Sequence, residues 1–157
     1  MGVVIMGLTV GFAWLFALLG WDAIGAEAGD TFATSAMRWM MFLPIGIQFL
    51  ISAFMHTVLA KKTAAMIGWQ TNGFQYEIGF ASLGIGIAGL VSCYLGPEAW
   101  LPLSIVVTVF LLGATANHIL EMARDKNFKP GNSLILIYDI GLPVSLWALL
   151  IFGGLLP

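Results

Sequence analysis

The chain has 157 residues, of which 60% are hydrophobic and 9% are charged, whereas an ordinary soluble domain carries roughly 25% charged residues. Its mean hydropathy is +0.97 and its net charge is −2, which excludes a separate soluble catalytic domain and the clustered basic surface that nucleic-acid binding requires. The sequence therefore predicts an all-α integral membrane protein that contacts the lipid bilayer and no nucleic acid.

Five apolar segments follow one another along the chain, and each approaches the length of about 20 residues that crosses a bilayer as a helix. We predict transmembrane helices near residues 3–20, 36–60, 76–95, 100–123 and 133–156. Short connectors leave no room for another domain. The prediction is a single polytopic helix bundle, one integral membrane domain over residues 1–157.

The connectors 61–75 and 124–132 share one side of such a bundle, and most basic residues lie there. These residues are Lys61, Lys62, Arg124, Lys126 and Lys129. The positive-inside rule makes this side cytoplasmic, so we expect a multi-pass protein of the cell's inner (cytoplasmic) membrane with its N-terminus inside and its C-terminus outside. Arg38 lies on the other side, where we expect its long side chain to extend to the interface.

Two sequence features predict how the helices pack. Pro44 and Pro143 lie inside spans two and five, where each should kink its helix and leave carbonyls that need partners from neighbouring helices. Small residues recur at helical spacing in span three, which predicts close packing at the centre of the bundle. The predicted packing stripe contains Glu77, Ala81, Gly84 and Ala88, with Gly79, Gly86 and Gly89 beside it.

The functional prediction rests on ionisable residues in or at the ends of spans, where burying a charge costs several kcal/mol. They are His56, Glu77, His118, Glu121 and Asp139. The direction of each span brings all five toward the cytoplasmic side. His118 and Glu121 share one helix face because they are three residues apart. Gln48, Ser52 and His56 recur every fourth residue, and this polar stripe should face the bundle interior.

Imidazole and carboxylate groups are ligands for zinc, iron or manganese. The main prediction is that all five residues bind divalent metal, in a site that acts on a lipid-soluble small molecule. Soluble di-iron bundles use Glu-x-x-His pairs, but His118 and Glu121 have the reverse order and occur once. Haem held by His56 and His118 is less favoured because carboxylates lie nearby. Whether the protein is an enzyme is left open.

Local explanations compete with the metal site. Glu77 near the start of span three is favoured by the helix dipole, and Asn72 with Gln75 resembles a capping box. Glu121 also lies one turn before Arg124, with which it could form an ion pair. Asp139 is the hardest to explain locally, since an unpaired carboxylate at its depth must bind a proton or find a partner.

Two other functions remain open. The same cluster could relay protons or cations in a transporter, although the outer halves of the spans offer few polar residues beyond Gln48. It could instead be a polar contact that fixes helix register in a homo-oligomer or in a non-catalytic subunit of a larger membrane complex. Measurements of bound metal, of ion flux and of oligomeric assembly would distinguish the metal site, the transporter and the structural contact.

Several segments resemble an uncharacterised family of small polytopic prokaryotic membrane proteins. The resemblance is carried by Gly68-Trp69, by Phe74-Gln75-Tyr76-Glu77-Ile78-Gly79, and by the stretch from His118 through Asn127-Phe128-x-Pro130-Gly131-Asn132 to Asp139 and Pro143. It covers about residues 50–150. The resemblance implies a membrane protein and carries over no activity.

Overall fold

The fold is a bundle of α-helices, seen in a computed structural model that describes residues 2–156, with side chains from Ile5 onward. The helices are α1 (Gly2–Leu18), α2 (Phe32–Thr57), α3 (Ala60–Ile67), α4 (Gly73–Ser92), α5 (Pro97–Asp125) and α6 (Pro130–Phe152). Within residues 2–156 there is no β-strand. The predicted all-α fold class is confirmed.

Four helices, α2, α4, α5 and α6, are long and apolar enough to cross a membrane. Helix α1 has 17 residues, at the lower limit of the roughly 17–25 residues that span a bilayer. It ends at Leu18, before Gly20, which adopts a positive φ of 68°. The prediction of five spans is therefore confirmed for four, and the segment predicted at 3–20 forms a shorter apolar helix that packs against α2 and α6.

Capping residues set several helix starts earlier than hydropathy suggested. The Thr31 side chain accepts a hydrogen bond from the Thr34 backbone N–H at 3.3 Å and begins α2 at Phe32. Asn72 does the same for Gln75 at 3.3 Å and begins α4 at Gly73. The predicted connector 61–75 also contains most of α3, whose moderately polar sequence hid it from a search for apolar runs.

Helix α2 changes its winding around Pro44, where residues Met41–Ile47 form a π-helical segment. The Gln48 backbone N–H bonds to the carbonyls of Leu43 and Ile45. The Pro44 carbonyl instead accepts a hydrogen bond of 2.5 Å from the Tyr138 hydroxyl of α6. A neighbouring helix thus supplies the partner that a proline-disturbed segment needs, as predicted.

Helix α4 packs closely against α2, as its small residues predicted, and the contact is made by the glycines that lie beside Gly84 rather than by Gly84 itself. Gly79, Gly86 and Gly89 are buried, and a Cβ atom on Gly89 would lie 2.8 Å from the Gly46 backbone nitrogen. Gly84, in the predicted stripe, is exposed and a Cβ there would meet nothing within 4 Å. The most apolar window of α4 is 33% buried, the same share as in α5. The central position expected for α4 stays a prediction.

The core lies between α2, α5 and α6. Its largest fully buried aliphatic and thioether side chains are Met37, Met40, Met41, Ile45, Val107, Leu142, Leu146 and Leu150. Dispersed methionines pack here as flexible apolar side chains. The core holds the three longest helices in register and so fixes which polar side chains meet inside the bundle.

Arg38 does not extend to the interface, and that prediction is wrong. Its side chain is buried and its Nε atom donates to Asp30 at 2.9 Å, while the guanidinium also pairs with Glu27 at 3.3 Å. It donates to the Cys93 carbonyl and lies 5.5 Å from the centroid of the Trp100 ring. The acidic partners come from the connector between α1 and α2, which folds back over the helix ends.

Candidate functional site

A histidine held by specific contacts lies at the basic end of the bundle, the end that carries Lys61, Lys62, Arg124, Lys126 and Lys129. His118 of α5 is buried, and its Nδ1 atom lies 2.7 Å from the Asn132 side-chain oxygen. The Asn132 amide nitrogen donates to the carbonyls of His118 and Asn127 at 3.3 and 2.8 Å. These contacts assign the amide oxygen to His118, so Nδ1 carries the proton and Nε2 is free to accept one.

Trp69 covers the same imidazole. The two rings stack with centroids 5.2 Å apart and an interplanar angle of 24°. Trp69 follows the end of α3, where Gly68 adopts a positive φ of 88°. The Asn127 side chain packs directly on Gly68 and donates to the Ile67 carbonyl at 2.8 Å. Three chain segments therefore fix the position of His118.

His56 approaches this group from the last turns of α2. It is half-buried and lies at the basic end of the bundle, as His118 does. Its Nδ1 atom is buried and has no hydrogen-bond partner in the described part of the chain. The two histidines therefore share one end of the bundle, but no hydrogen bond joins them in the described part of the chain.

The other three predicted residues have different surroundings. Glu121 lies one turn from His118 on α5 and is half-buried. Glu77 is exposed on α4. Asp139 of α6 is only 2% exposed, and its Oδ2 atom is buried without a hydrogen-bond partner among residues 5–156.

No group of three or more His, Cys, Asp and Glu residues that could hold a metal ion occurs among the residues described. The five-residue metal centre, with His56, Glu77, His118, Glu121 and Asp139 as joint ligands, is therefore not supported. Sharing one end of a bundle is not enough, because the rotation of each helix decides where a side chain points. Gly79 faces α2, and Glu77, two residues earlier, lies about 200° around the helix from it.

The polar stripe predicted on α2 does face the interior. Gln48 is buried and Ser52 shares a hydrogen bond of 3.3 Å with Ser82 of α4. The predicted capping box near α4 is half-formed, because the Gln75 side chain donates to the Ala60 carbonyl at 2.8 Å rather than returning to Asn72. That contact ties α3 to α4.

Buried polar atoms without partners extend well beyond the histidines. Within the described chain they include Oε1 of Gln48, Oγ of Ser104, Oγ1 of Thr115 and Oδ2 of Asp139. They belong to α2, α5 and α6. Helices α2 and α5 meet where the tilted rings of Phe49 and Phe110 lie with centroids 5.7 Å apart, and Trp147 of α6 donates to Thr108 of α5 at 3.0 Å.

Sequence reasoning missed the polar face of α5. Ser104, Thr108, Thr115 and His118 are separated by four, seven and three residues, a spacing that keeps side chains on one helix face. Serine and threonine hydroxyls do not interrupt an apolar run and carry no charge. Neither hydropathy nor a search for ionisable residues therefore identifies them. Asn132 and Trp69 entered the sequence analysis only through the family resemblance, because no spacing linked them to His118.

A family model covers almost the whole chain, matching residues 2–154. The chain belongs to the DUF6790 family. It is described as a family of unknown function, which confirms the resemblance to an uncharacterised family and extends it beyond residues 50–150. No curated protein and no solved structure matches this DUF6790 chain, so its function has to be argued from the bundle interior.

Proposed function

We propose that the protein is a proton or cation transporter of the cytoplasmic membrane, with Asp139 as the group that binds the transported ion. The observation that carries this proposal is the burial of the Asp139 carboxyl group inside an apolar helix. It is 2% exposed, and one of its oxygens has no partner in the described residues.

A carboxylate in such surroundings cannot stay charged and alone, because transfer of an unpaired ion out of water costs several kcal/mol or more. Binding a proton makes the group neutral, and binding a cation balances its charge. Either event couples ion occupancy to the packing of α6. Intramembrane carboxyl groups in pumps and transporters work by this principle.

The ion needs polar groups on both sides of Asp139. Toward the basic end, His56 and His118 supply imidazoles, and Nε2 of His118 can accept a proton. Toward the opposite end, Gln48, Thr115 and Ser104 supply buried polar atoms. Ser104 lies about 10 Å along α5 from its start at Pro97, at a rise of 1.5 Å per residue. It extends the polar interior into the half of the bundle that hydropathy alone marks as apolar.

Ion flux into proteoliposomes tests the proposal. Purified protein is reconstituted with a pH-sensitive dye inside, and a potassium gradient with valinomycin drives proton entry. We expect flux above that of protein-free liposomes, and we expect Asp139→Asn to lower it by at least about tenfold, since 1.4 kcal/mol already gives that factor. Repeating the assay with sodium or potassium gradients distinguishes proton from cation movement.

Glu98→Gln is the matched control, because Glu98 is an exposed carboxylate at the far end of α5. It should leave flux unchanged. Thermal unfolding of Asp139→Asn in detergent shows whether this nearly isosteric variant is folded. Wild-type flux equal to that of empty liposomes, or equal flux from wild type and folded Asp139→Asn, contradicts the proposal.

Divalent-metal binding is the second candidate, and one observation favours it. His118 is held through Nδ1 by Asn132, the way a histidine ligand is held while its other nitrogen faces a metal. His56 and His118 would be the ligands for zinc, iron or manganese. Glu121 or Asp139 would join them if its side chain adopted another rotamer. Chemistry on a lipid-soluble substrate would then follow.

Elemental analysis of protein purified without a histidine tag or chelators tests this candidate. Stoichiometric metal that is lost in His118→Ala supports it, and metal-free wild type contradicts it. If flux and metal are both absent, but His118→Ala and Asp139→Asn lose a larger assembly on native gels, a non-catalytic subunit becomes the better explanation.

A further inference from the structure

A large cleft opens at the basic end, beside the histidines but outside the buried interior. Its volume is about 820 Å³, and it lies between the connector before α4, the first turns of α4, and the end of α5 with its following connector. Its lining reaches Ile78 on α4 and Asn117 on α5.

One wall of the cleft is apolar and open. Trp69, Phe74, Ile78 and Phe128 line it, and Phe74 and Phe128 are 71% and 63% exposed. Aromatic side chains at the end of a membrane bundle lie at the level of lipid headgroups. The indole N–H of Trp69 is buried without a partner in the described chain and so retains a donor for a ligand oxygen.

The facing wall carries polar groups in a row. Asn117, Glu121 and Asp125 all line the cleft and follow one another at intervals of four residues along α5. The row is about 12 Å long at 1.5 Å per residue. Its acidic members lie toward the connector, and Asn117 lies one turn deeper in the bilayer. This wall favours a ligand group that is cationic and donates hydrogen bonds.

Positive charge lies at the mouth of the same cleft. Lys126 and Lys129 line it, and their ammonium groups donate to the carbonyls of Ala123 at 3.1 Å and Ala65 at 3.3 Å. An ammonium has three donors, so each lysine can also donate to an anionic group. The cleft thus presents carboxylates and ammoniums within one volume, next to an apolar wall.

We propose that this cleft binds a zwitterionic aminophospholipid, one whose headgroup combines a phosphate with a primary ammonium. The ammonium lies against Glu121 and Asp125, and the phosphate lies against Lys126 and Lys129. The acyl chains follow the apolar wall past Phe74 into the bilayer. This site does not include Asp139 or the imidazoles, and its lipid-retention test does not measure ion flux, so the two proposals can fail separately even though Trp69 stacks on His118.

Native mass spectrometry of delipidated protein tests the proposal. The protein is offered equal amounts of phosphatidylethanolamine, phosphatidylcholine and phosphatidylglycerol with identical acyl chains. We expect phosphatidylethanolamine to be retained about two- to fivefold more than either other lipid, the factor given by a favourable partly exposed ion pair. Phosphatidylcholine has lost its N–H donors, and phosphatidylglycerol has lost its positive charge.

The double variant Glu121→Gln with Asp125→Asn should lower phosphatidylethanolamine retention to the level of phosphatidylcholine, while Glu98→Gln should leave it unchanged. Both double-variant positions are at least partly exposed, so the variant is expected to fold, and its thermal unfolding checks this. Equal retention of the three lipids, or unchanged selectivity in the double variant, overturns the proposal.

Fluorescence locates the bound lipid. Phosphatidylethanolamine with brominated acyl chains should quench the emission of Trp69, measured as the difference between wild type and Trp69→Phe. Brominated phosphatidylcholine should quench this difference signal less. Equal quenching by both lipids would show ordinary bilayer contact at the cleft and would overturn selective binding there.

Discussion

Arg38 shows how a single buried charge is stabilised by residues far along the chain. Its partners include carboxylates at Glu27 and Asp30 and carbonyls at Cys93 and Leu95. A planar guanidinium with five donors can satisfy several acceptors at once. Both carbonyls follow the end of α4, where a cation is favoured by the helix dipole. Arg38 therefore joins the first connector, α2 and α4 at the end opposite the lysines.

The Asp30 carboxyl predicts how this contact responds to acid. Burial raises the pKa of Asp30, but hydrogen bonds from the Glu27 backbone N–H and from Arg38, with the charge of Arg38, outweigh burial and hold the pKa below its usual value. A group with a lowered folded-state pKa stabilises the fold above its unfolded pKa of about 3.9. That stabilisation is lost as the pH falls through the folded pKa.

We therefore expect the melting temperature in detergent to be unaffected by this group from pH 7 to about 5, and to fall below about pH 4. At pH 7 the melting temperature of Asp30→Asn should be lower than that of wild type. On acidification it should fall by less than the wild-type melting temperature does. Asp22→Asn, an exposed carboxylate in the same connector, should follow wild type. If the melting temperatures of Asp30→Asn and wild type fall in parallel as the pH is lowered, the ion pair between Asp30 and Arg38 is not the contact that responds to acid.

At the scale of the element, close approach of α4 to the π-helical segment of α2 depends on glycine. A Cβ on Gly89 would lie 2.8 Å from the Gly46 nitrogen and 2.9 Å from the Met41 carbonyl oxygen. Both atoms belong to backbone, which cannot rotate away as a side chain can. Small residues at such contacts allow dispersion and weak hydrogen bonds between helices in a membrane.

Gly89→Ala should therefore destabilise the protein by about 1–3 kcal/mol, the usual cost of overpacking. Gly84→Ala on the open face of the same helix should be neutral or stabilise by up to about 1 kcal/mol, because alanine is the better helix former. Unfolding in mixed detergents, followed by circular dichroism, measures the change in stability of both variants. If the two variants unfold alike, the packing face assigned to α4 is incorrect.

At the scale of the whole molecule, the basic residues collect at one end of the bundle. The connectors that carry them touch, because Asn127 donates to the Ile67 carbonyl and Lys129 donates to the Ala65 carbonyl. The opposite end contains the Arg38 ion pairs. This separation of charge makes an orientation prediction possible, since positive residues stay in the cytoplasm.

Cysteine labelling in intact cells tests the orientation. In a Cys93→Ser background, Glu98→Cys should react with a membrane-impermeant maleimide, because Glu98 is exposed and the positive-inside rule predicts that its end of the bundle faces outward. Lys62→Cys, also exposed, should react only after the cells are permeabilised. Labelling of Lys62→Cys in intact cells with protection of Glu98→Cys would reverse the topology.

The sequence by itself determined the class of protein, the approximate spans and the end at which the basic residues gather. Hydropathy and the distribution of basic residues are summed over many positions, and the direction of the chain fixes which helix ends lie together. None of these properties depends on the exact packing of any pair of side chains. Polar spacing on α2 also indicated correctly that Gln48 and Ser52 face inward.

Only the tertiary structure decided which side chains meet. Helices that are apolar on all sides carry no hydropathy signal for their rotation, and each residue turns the helix by 100°. Packing of Gly89 on α2 therefore set the exposure of Glu77, and the fold of the first connector gave Arg38 its acidic partners. The contacts of His118 with Trp69 and Asn132, and the burial of Asp139, follow from the same packing of helices and connectors.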